Sequence, residues 1–356
     1  MKFKFNKEVS EILDYLVFPR IYFNLEKDMH DEDETIKNVI KDDYLDFSEK
    51  MHSKLEPLKD DINQFYQKDM YSYYDFANIL TDAYPIYEYD NINDYFNDLE
   101  KIDPVEFKDE IIKALITMED SESKAVELFD ESNATKYINQ LKIDSANKWN
   151  MFVMIQNPKL HLIKFISLLN KIEPLFNSYY QENEKRIVEV GNSLVKRLSI
   201  NTNEAFKDIT YDAISYDFSG RDLCHLYVSF AMPYALKFID GNDCRIVWGL
   251  EMEYSFKKVY ELNEDKLAQR VKIFKALGDR TRYETLKLIA KGVSSIKNIA
   301  DELDVSSATI SYHVNEFLTS GILYMNREKN SKFGYIIDYK KLNEVFADLK
   351  EDLNFE

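Results

Sequence analysis

Apolar residues recur at helical spacing along most of this chain, and the pattern changes texture twice. Over residues 1–110 the pattern predicts helices joined by loops. Val9, Ile12, Leu13 and Leu16 share one helical face, and Pro19 ends or kinks that helix. The run "HDEDETIKNVIKDDYLDFSEKMHSKL" reads as a charged, exposed helix with Asp33 as its cap. Residues 70–100, rich in Tyr, Asp and Asn, mix helix and loop, and Pro104 opens the next helix. The longest helical runs follow over 145–198, as "SANKWNMFVMIQN", "LHLIKFISLLNKI" and "PLFNSYYQENEKRIVEVGNSLVKRL". After Leu198 come "ITYDAISYDF", "LCHLYVSFAMPYALKFI" and "CRIVWGLEM", rich in β-branched and aromatic residues. They predict two to four strands, with Asp240-Gly241-Asn242-Asp243 as a turn. The predicted fold class is mainly α with a small β component. A helical body over 1–198 is completed by a small β-containing segment over 199–260. A C-terminal unit follows over 264–356, with Asn263 as the cap of its first helix.

That C-terminal unit carries the most specific pattern. Residues 266–339 read in order as two helices, a helix–turn–helix and a two-stranded hairpin. This order is a winged helix–turn–helix, a shape that places one helix in the DNA major groove. Ile296, Ile299, Ala300 and Leu303 form one apolar stripe. Asp304 makes the turn, Val305 returns to the core, and Ser306 or Ser307 caps the next helix. Ile310, Val314 and Phe317 are its buried stripe, with Leu318 at the edge, and Gly321 ends it where a positive φ is cheap. The opposite face holds Ala308, Thr309, Ser311, Tyr312 and Asn315, mostly short or flat side chains able to hydrogen-bond base edges. Ser307 lies where the helix N-terminus favours a phosphate. His313 borders the buried stripe and reads as a partly packed structural histidine. Arg327, Lys329 and Lys332 surround the hairpin tip, suited to phosphate or minor-groove contact.

Residues 266–340 resemble the winged-helix repressors of the ArsR–SmtB family. "FKALGDRTRYETLKLI" is similar to the family's opening signature, through Leu277-Gly278-Asp279 and Thr281-Arg282. "VSSATISYHVNEFLTSGIL" is similar to its recognition-helix signature, through Ser311, His313 and Gly321. The resemblance implies a homodimer, paired through the first and last helices of the unit, on an imperfect inverted repeat. The last helix here is "KKLNEVFADLKEDL", with Leu342, Val345, Phe346 and Leu349 as its apolar face. Arg280 stands where the family often has proline. The helix that carries a Cys pair in metal-sensing members has none here, and no His follows His313. Thiolate or imidazole metal ligation at those sites is therefore not expected, and the large body is the expected regulatory input.

Charge sharpens the division. The chain carries a net −18. Residues 265–341 hold 14 Lys/Arg against 9 Asp/Glu, a net of +5, and the remainder carries −23. A mildly basic module is attached to an acidic body that repels phosphates. No window approaches 18 uncharged apolar residues, so no membrane span is expected. The start lacks a secretory pattern. Cys224 and Cys244, the two cysteines, fit a reducing cytoplasm without a disulfide framework, and they pair only if the fold brings them together.

No Gly-rich phosphate loop, GxSxG, HExxH or CxxC is present. The chain therefore does not read as an enzyme, and no metal or cofactor is expected. The Tyr-rich segments read as core rather than as a ligand pocket. Double-stranded DNA, a second copy of the chain, and a small-molecule or protein effector on the N-terminal region are the expected partners. The alternative is a protein–protein interaction module whose winged domain no longer binds DNA, in keeping with the small +5 charge and a reading helix without Arg or Lys.

Overall fold

A computed structural model describes residues 1–23, 39–66, 74–117, 130–239, 243–327 and 334–354. The expected Asp33 cap, the turn residues 240–242 and the hairpin tip over 328–333 lie outside the described residues. The chain begins with β1 (Lys2–Phe5), α1 (Lys7–Val17) and a 3-10 turn over Phe18–Phe23. A helical layer follows: α2 (Asp42–Leu55), α3 (Lys59–Phe65), α4 (Phe76–Ala83), α5 (Ile92–Lys101), α6 (Pro104–Thr117), α7 (Glu131–Gln140) and α8 (Ser145–Gln156). α9 (Pro158–Leu198) then runs 41 residues. α10 (Thr202–Thr210) leads to β2 (Ile214–Tyr216), β3 (Leu223–Ser229), β4 (Leu236–Ile239) and β5 (Cys244–Gly249). α11 (Met252–Glu264) joins this body to α12 (Lys266–Leu277), α13 (Arg280–Ala290), α14 (Ile296–Leu303) and α15 (Ser307–Ser320). The hairpin of β6 (Leu323–Arg327) and β7 (Gly334–Ile337) and helix α16 (Tyr339–Asp352) complete the chain.

The protein is thus mainly α with a small β component, and local chemistry explains many helix starts. Asn6, Asp75, Asn91, Asp130 and Asp144 each accept an N–H from three residues on, meeting a donor that the first turn leaves open. The two helical runs expected on either side of Pro174 are instead one helix, with Pro174 inside it. A proline there removes one intrahelical bond, but α9 is the central strut of the body, and buried residues along its whole length hold it. Gly191 lets that strut approach β1: a methyl there would sit 2.5 Å from the Phe5 ring.

The N-terminus is a strand, not part of a helical run. "KFKF" alternates, and β1 pairs in parallel with β3 through Phe3 and Cys224. β3 pairs in parallel with β5, and β4 closes the edge antiparallel to β5, giving the order β1-β3-β5-β4. The segment after Leu198 is also less purely β than its composition predicts, because α10 and most of α11 fall within 199–260.

A buried carboxylate ties α1 to this sheet. Asp14 accepts hydrogen bonds from the Ser229 hydroxyl and from the N–H groups of Phe230 (3.0 Å) and Ala231 (3.2 Å), where the chain leaves β3. Burial pushes its carboxyl up to about 7, against the pull of those donors. His161 on α9 packs against the Phe65 and Phe76 rings, and burial drives its imidazole down to about 3, so it is a neutral core residue.

Two hydrophobic clusters result. One spans Phe3 to Met252 and is dense in aromatics, and Tyr84, Tyr87, Tyr89 and Tyr95 pack within it or against it. The other spans Ile273 to Val345 and is mostly Ile, Leu and Val around Phe317. They meet at a second sheet, of order β2-β6-β7, in which the body strand β2 lies parallel to β6. Among the described residues, no helix is long and apolar enough to cross a membrane.

Candidate nucleic-acid interface

Residues 266–339 form the expected order of elements, with β6 and β7 as the antiparallel hairpin. α14 buries Ile299 and Ala300, with Ile296 and Leu303 packed at the edge of the same stripe. Its last turn closes with Asp304 in the left-handed conformation, at φ 56°, where a short polar side chain is tolerated. Val305 then packs against the core, and Ser306 caps α15 by accepting the Thr309 N–H at 3.0 Å. Gly321, at φ 75°, ends it.

The far end of α15 is anchored from below by side chains that the sequence pattern did not single out. Lys272 donates to the Thr319 carbonyl at 3.0 Å, Asn263 donates to the same oxygen at 3.3 Å, and Gln269 donates to the Ser320 carbonyl at 3.5 Å. The last carbonyls of a helix have no partner within it, and here three donors from α11 and α12 supply them. Burial lowers the Lys272 ammonium to about 8. Asn263 therefore does not cap the unit's first helix. α11 continues through it, and Asp265 caps α12 by accepting from Leu267 and Ala268.

This scaffold fixes the orientation of α15. Ile310, Val314 and Phe317 face the core. Ser307, Ala308, Thr309, Ser311, Tyr312 and Asn315 lie on the outer surface, all half-buried rather than fully exposed. The Ser306 and Thr309 hydroxyls bond each other at 2.8 Å, so Thr309 is partly committed to the cap. His313 is buried, at 7% exposure, and its ring lies 5.6 Å from that of Tyr312. Arg327 ends β6, opposite Tyr216 of β2. Lys329 and Lys332 lie outside the described residues.

Among the described residues, the body reaches this unit through strand pairing, an ion pair and a cation–π contact. β2 adds itself to the outer edge of β6, pairing Ile214, Ser215 and Tyr216 with Met325, Asn326 and Arg327. Lys142 makes an ion pair with Asp304 in the turn, at 2.7 Å. The Lys297 ammonium of α14 lies 5.3 Å from the centroid of the Tyr137 ring of α7. None of these contacts is legible from local sequence pattern. Along α12 and α16, apolar side chains stay exposed beside the ion pairs of Arg270 with Asp348 and Asp352. Leu267 and Val271 of α12, Phe346 of α16 and Leu353 just beyond it are exposed. The Phe274 and Phe346 rings, 6.3 Å apart, bring the two helices together there.

An uncharacterized HTH-type transcriptional regulator of Methanocaldococcus jannaschii is 40% identical over 75 residues, which cover 84% of that protein and 21% of this chain. No family model matches the chain, and no solved structure matches it.

Proposed function

Because this chain belongs to the HTH-type transcriptional regulators, we propose that it is a sequence-specific DNA-binding repressor of the winged-helix, ArsR–SmtB kind. It acts as a homodimer on an inverted-repeat operator, and the N-terminal body supplies the regulatory input. The observation that carries this reading is the fixed orientation of α15, with Ile310, Val314 and Phe317 inside and a small polar face outside. Ser307, Ala308, Thr309, Ser311, Tyr312, His313 and Asn315 form or border the reading surface. Arg327, Lys329 and Lys332 of the hairpin neutralise phosphates and set register. Half-site pairing is supported by the exposed apolar side chains along α12 and α16, which a second copy would cover. Occlusion of a promoter needs no further chemistry from the body.

A second reading, an interaction module that no longer engages DNA, is favoured by the half-buried state of the outer α15 face and by β2 on the hairpin edge. Titration of the full chain against random duplex at low salt, then against its own promoter, separates the two. The first reading expects two chains per operator and affinity that falls steeply with salt. Tyr312→Ala should weaken operator binding by about 1–3 kcal/mol while leaving random duplex unchanged. Absence of binding to any duplex at low salt would establish the second.

A further inference from the structure

Cys224 and Cys244, 20 residues apart in sequence, are direct partners on the parallel strands β3 and β5. Both side chains leave the same face of the sheet, both are buried, and Cys224 Sγ–H donates to Cys244 Sγ at 3.0 Å. Neighbouring strands lie about 4.8 Å apart, inside the range of about 4.4–6.8 Å between Cα atoms that a disulfide requires. The Tyr216 hydroxyl lies 3.4 Å from Cys244 Sγ, and the His225 carbonyl lies 3.9 Å from Cys224 Sγ. Tyr216 is held flat against Phe238, 4.4 Å between centroids, with the Arg221 guanidinium over its ring at 5.2 Å. It is also the last residue of β2, the three-residue strand that pairs with the hairpin strand β6. The thiol pair is therefore one side chain away from the seam between the body and the helix–turn–helix unit.

We propose that Cys224 and Cys244 are a dithiol that a hydroperoxide oxidises to an intrachain disulfide, and that Tyr216 transmits this change to the β2–β6 seam. The sulfur that reacts first is Cys244. It accepts the Cys224 thiol at 3.0 Å and has the Tyr216 hydroxyl at 3.4 Å, and these contacts, with the nearby Arg221 and Arg245, favour its thiolate against burial. Its thiolate attacks one oxygen of hydrogen peroxide, an S–O bond forms, the O–O bond breaks, and the released hydroxide takes up a proton to leave as water. Cys224 then loses its proton and attacks the Cys244 sulfenic sulfur. The S–S bond forms, the S–O bond breaks, and the hydroxide departs with that proton as a second water. Two thiols are oxidised and one peroxide is reduced. Opening of the short strand β2, which covers Cys244 through Tyr216, admits the peroxide. Closure to a bond of about 2.05 Å leaves the Tyr216 hydroxyl facing a weakly accepting disulfide sulfur in place of its Cys244 partner at 3.4 Å, and β2 loosens from β6.

The test uses the full chain without DNA, so its outcome is independent of the repressor reading. Reduced protein is treated with hydrogen peroxide, alkylated in denaturant, digested and weighed. The expected product joins the Cys224 and Cys244 peptides, lighter by two hydrogens than the reduced pair. Cys224→Ser should strand Cys244 as a sulfenic acid that dimedone captures. Recovery of both cysteines as alkylated thiols, under conditions that cross-link the same chain in urea, overturns the proposal without recourse to any variant. Hydrogen exchange tests the transmission. Amides of the β2–β6 ladder should exchange about tenfold faster after oxidation, as loss of one hydrogen bond implies. A disulfide that leaves exchange across the seam unchanged overturns the link to Tyr216.

Discussion

The two hydrophobic clusters of this protein are built on opposite plans. The body core joins residues far apart in the chain: β1 pairs with β3 across more than two hundred residues, and Asp14 bonds to the chain at Ser229–Ala231. Aromatic side chains make up about a third of its buried residues. The C-terminal core is local and mostly aliphatic around the fully buried Phe317, with each helix start marked by its own cap. A core assembled from neighbours tolerates being a separate module, whereas a core assembled from distant segments stands or falls together.

The largest effect that sharpens this contrast is expected from Phe317→Ala. Phe317 is fully buried in the small cluster, so truncation should cost about 3–5 kcal/mol from lost burial and the cavity left behind. The helix–turn–helix unit should lose its exchange protection and its duplex binding, while near-ultraviolet dichroism from the body's tyrosines and Trp248 persists. Simultaneous loss of both signals would show that the two cores are a single cooperative unit.

Asp14→Ala attacks the body instead. It leaves the N–H groups of Phe230 and Ala231 buried without their acceptor, at a cost of about 3 kcal/mol. The pH dependence has a definite sign. The native carboxyl titrates at about 7, above the ordinary carboxylate value, so the unfolded chain loses this proton first. The stability contributed by Asp14 is fully present in acid and is lost as pH rises through about 7. The cost of the substitution should therefore be larger at pH 5 than at pH 8 in urea unfolding, and equal costs at both would contradict the raised carboxyl. Ser306→Ala comes next. Removing a helix cap costs about 1 kcal/mol, read as a small fall in the unfolding midpoint of the C-terminal unit alone.

The same contrast explains what the sequence disclosed. The cap at Ser306, the left-handed turn at Asp304, the stripe Ile310–Val314–Phe317 and the stop at Gly321 are all set within a few residues of one another, so spacing reveals them. β1 was hidden because four alternating residues carry little signal, and a parallel partner leaves no hairpin turn to announce it. Asn263 and Asp265 are both good caps two residues apart. The choice fell to Asp265 because Asn263 is engaged with the Thr319 carbonyl from within α11. The approach of Cys224 to Cys244 depends on strand register, and the half-burial of the outer α15 face on packing beyond the helix's own spacing. Neither is a property of a local window.

The smallest effect bears on what holds the two regions together. Lys142 and Asp304 bridge them at 2.7 Å, and this contact lowers the Asp304 carboxyl below its ordinary range. Yet the Asp304 side chain is 96% exposed, so water and salt screen the pair, and its formation must also immobilise a lysine. The β2–β6 ladder, by contrast, is backbone hydrogen bonding next to the buried side chains of Ile214 and Tyr216. Lys142→Ala should therefore leave both the unfolding midpoint and hydrogen exchange across β2–β6 unchanged at physiological salt. Faster exchange at the seam in this variant would mean that the ion pair, and not the ladder, positions the body against the helix–turn–helix.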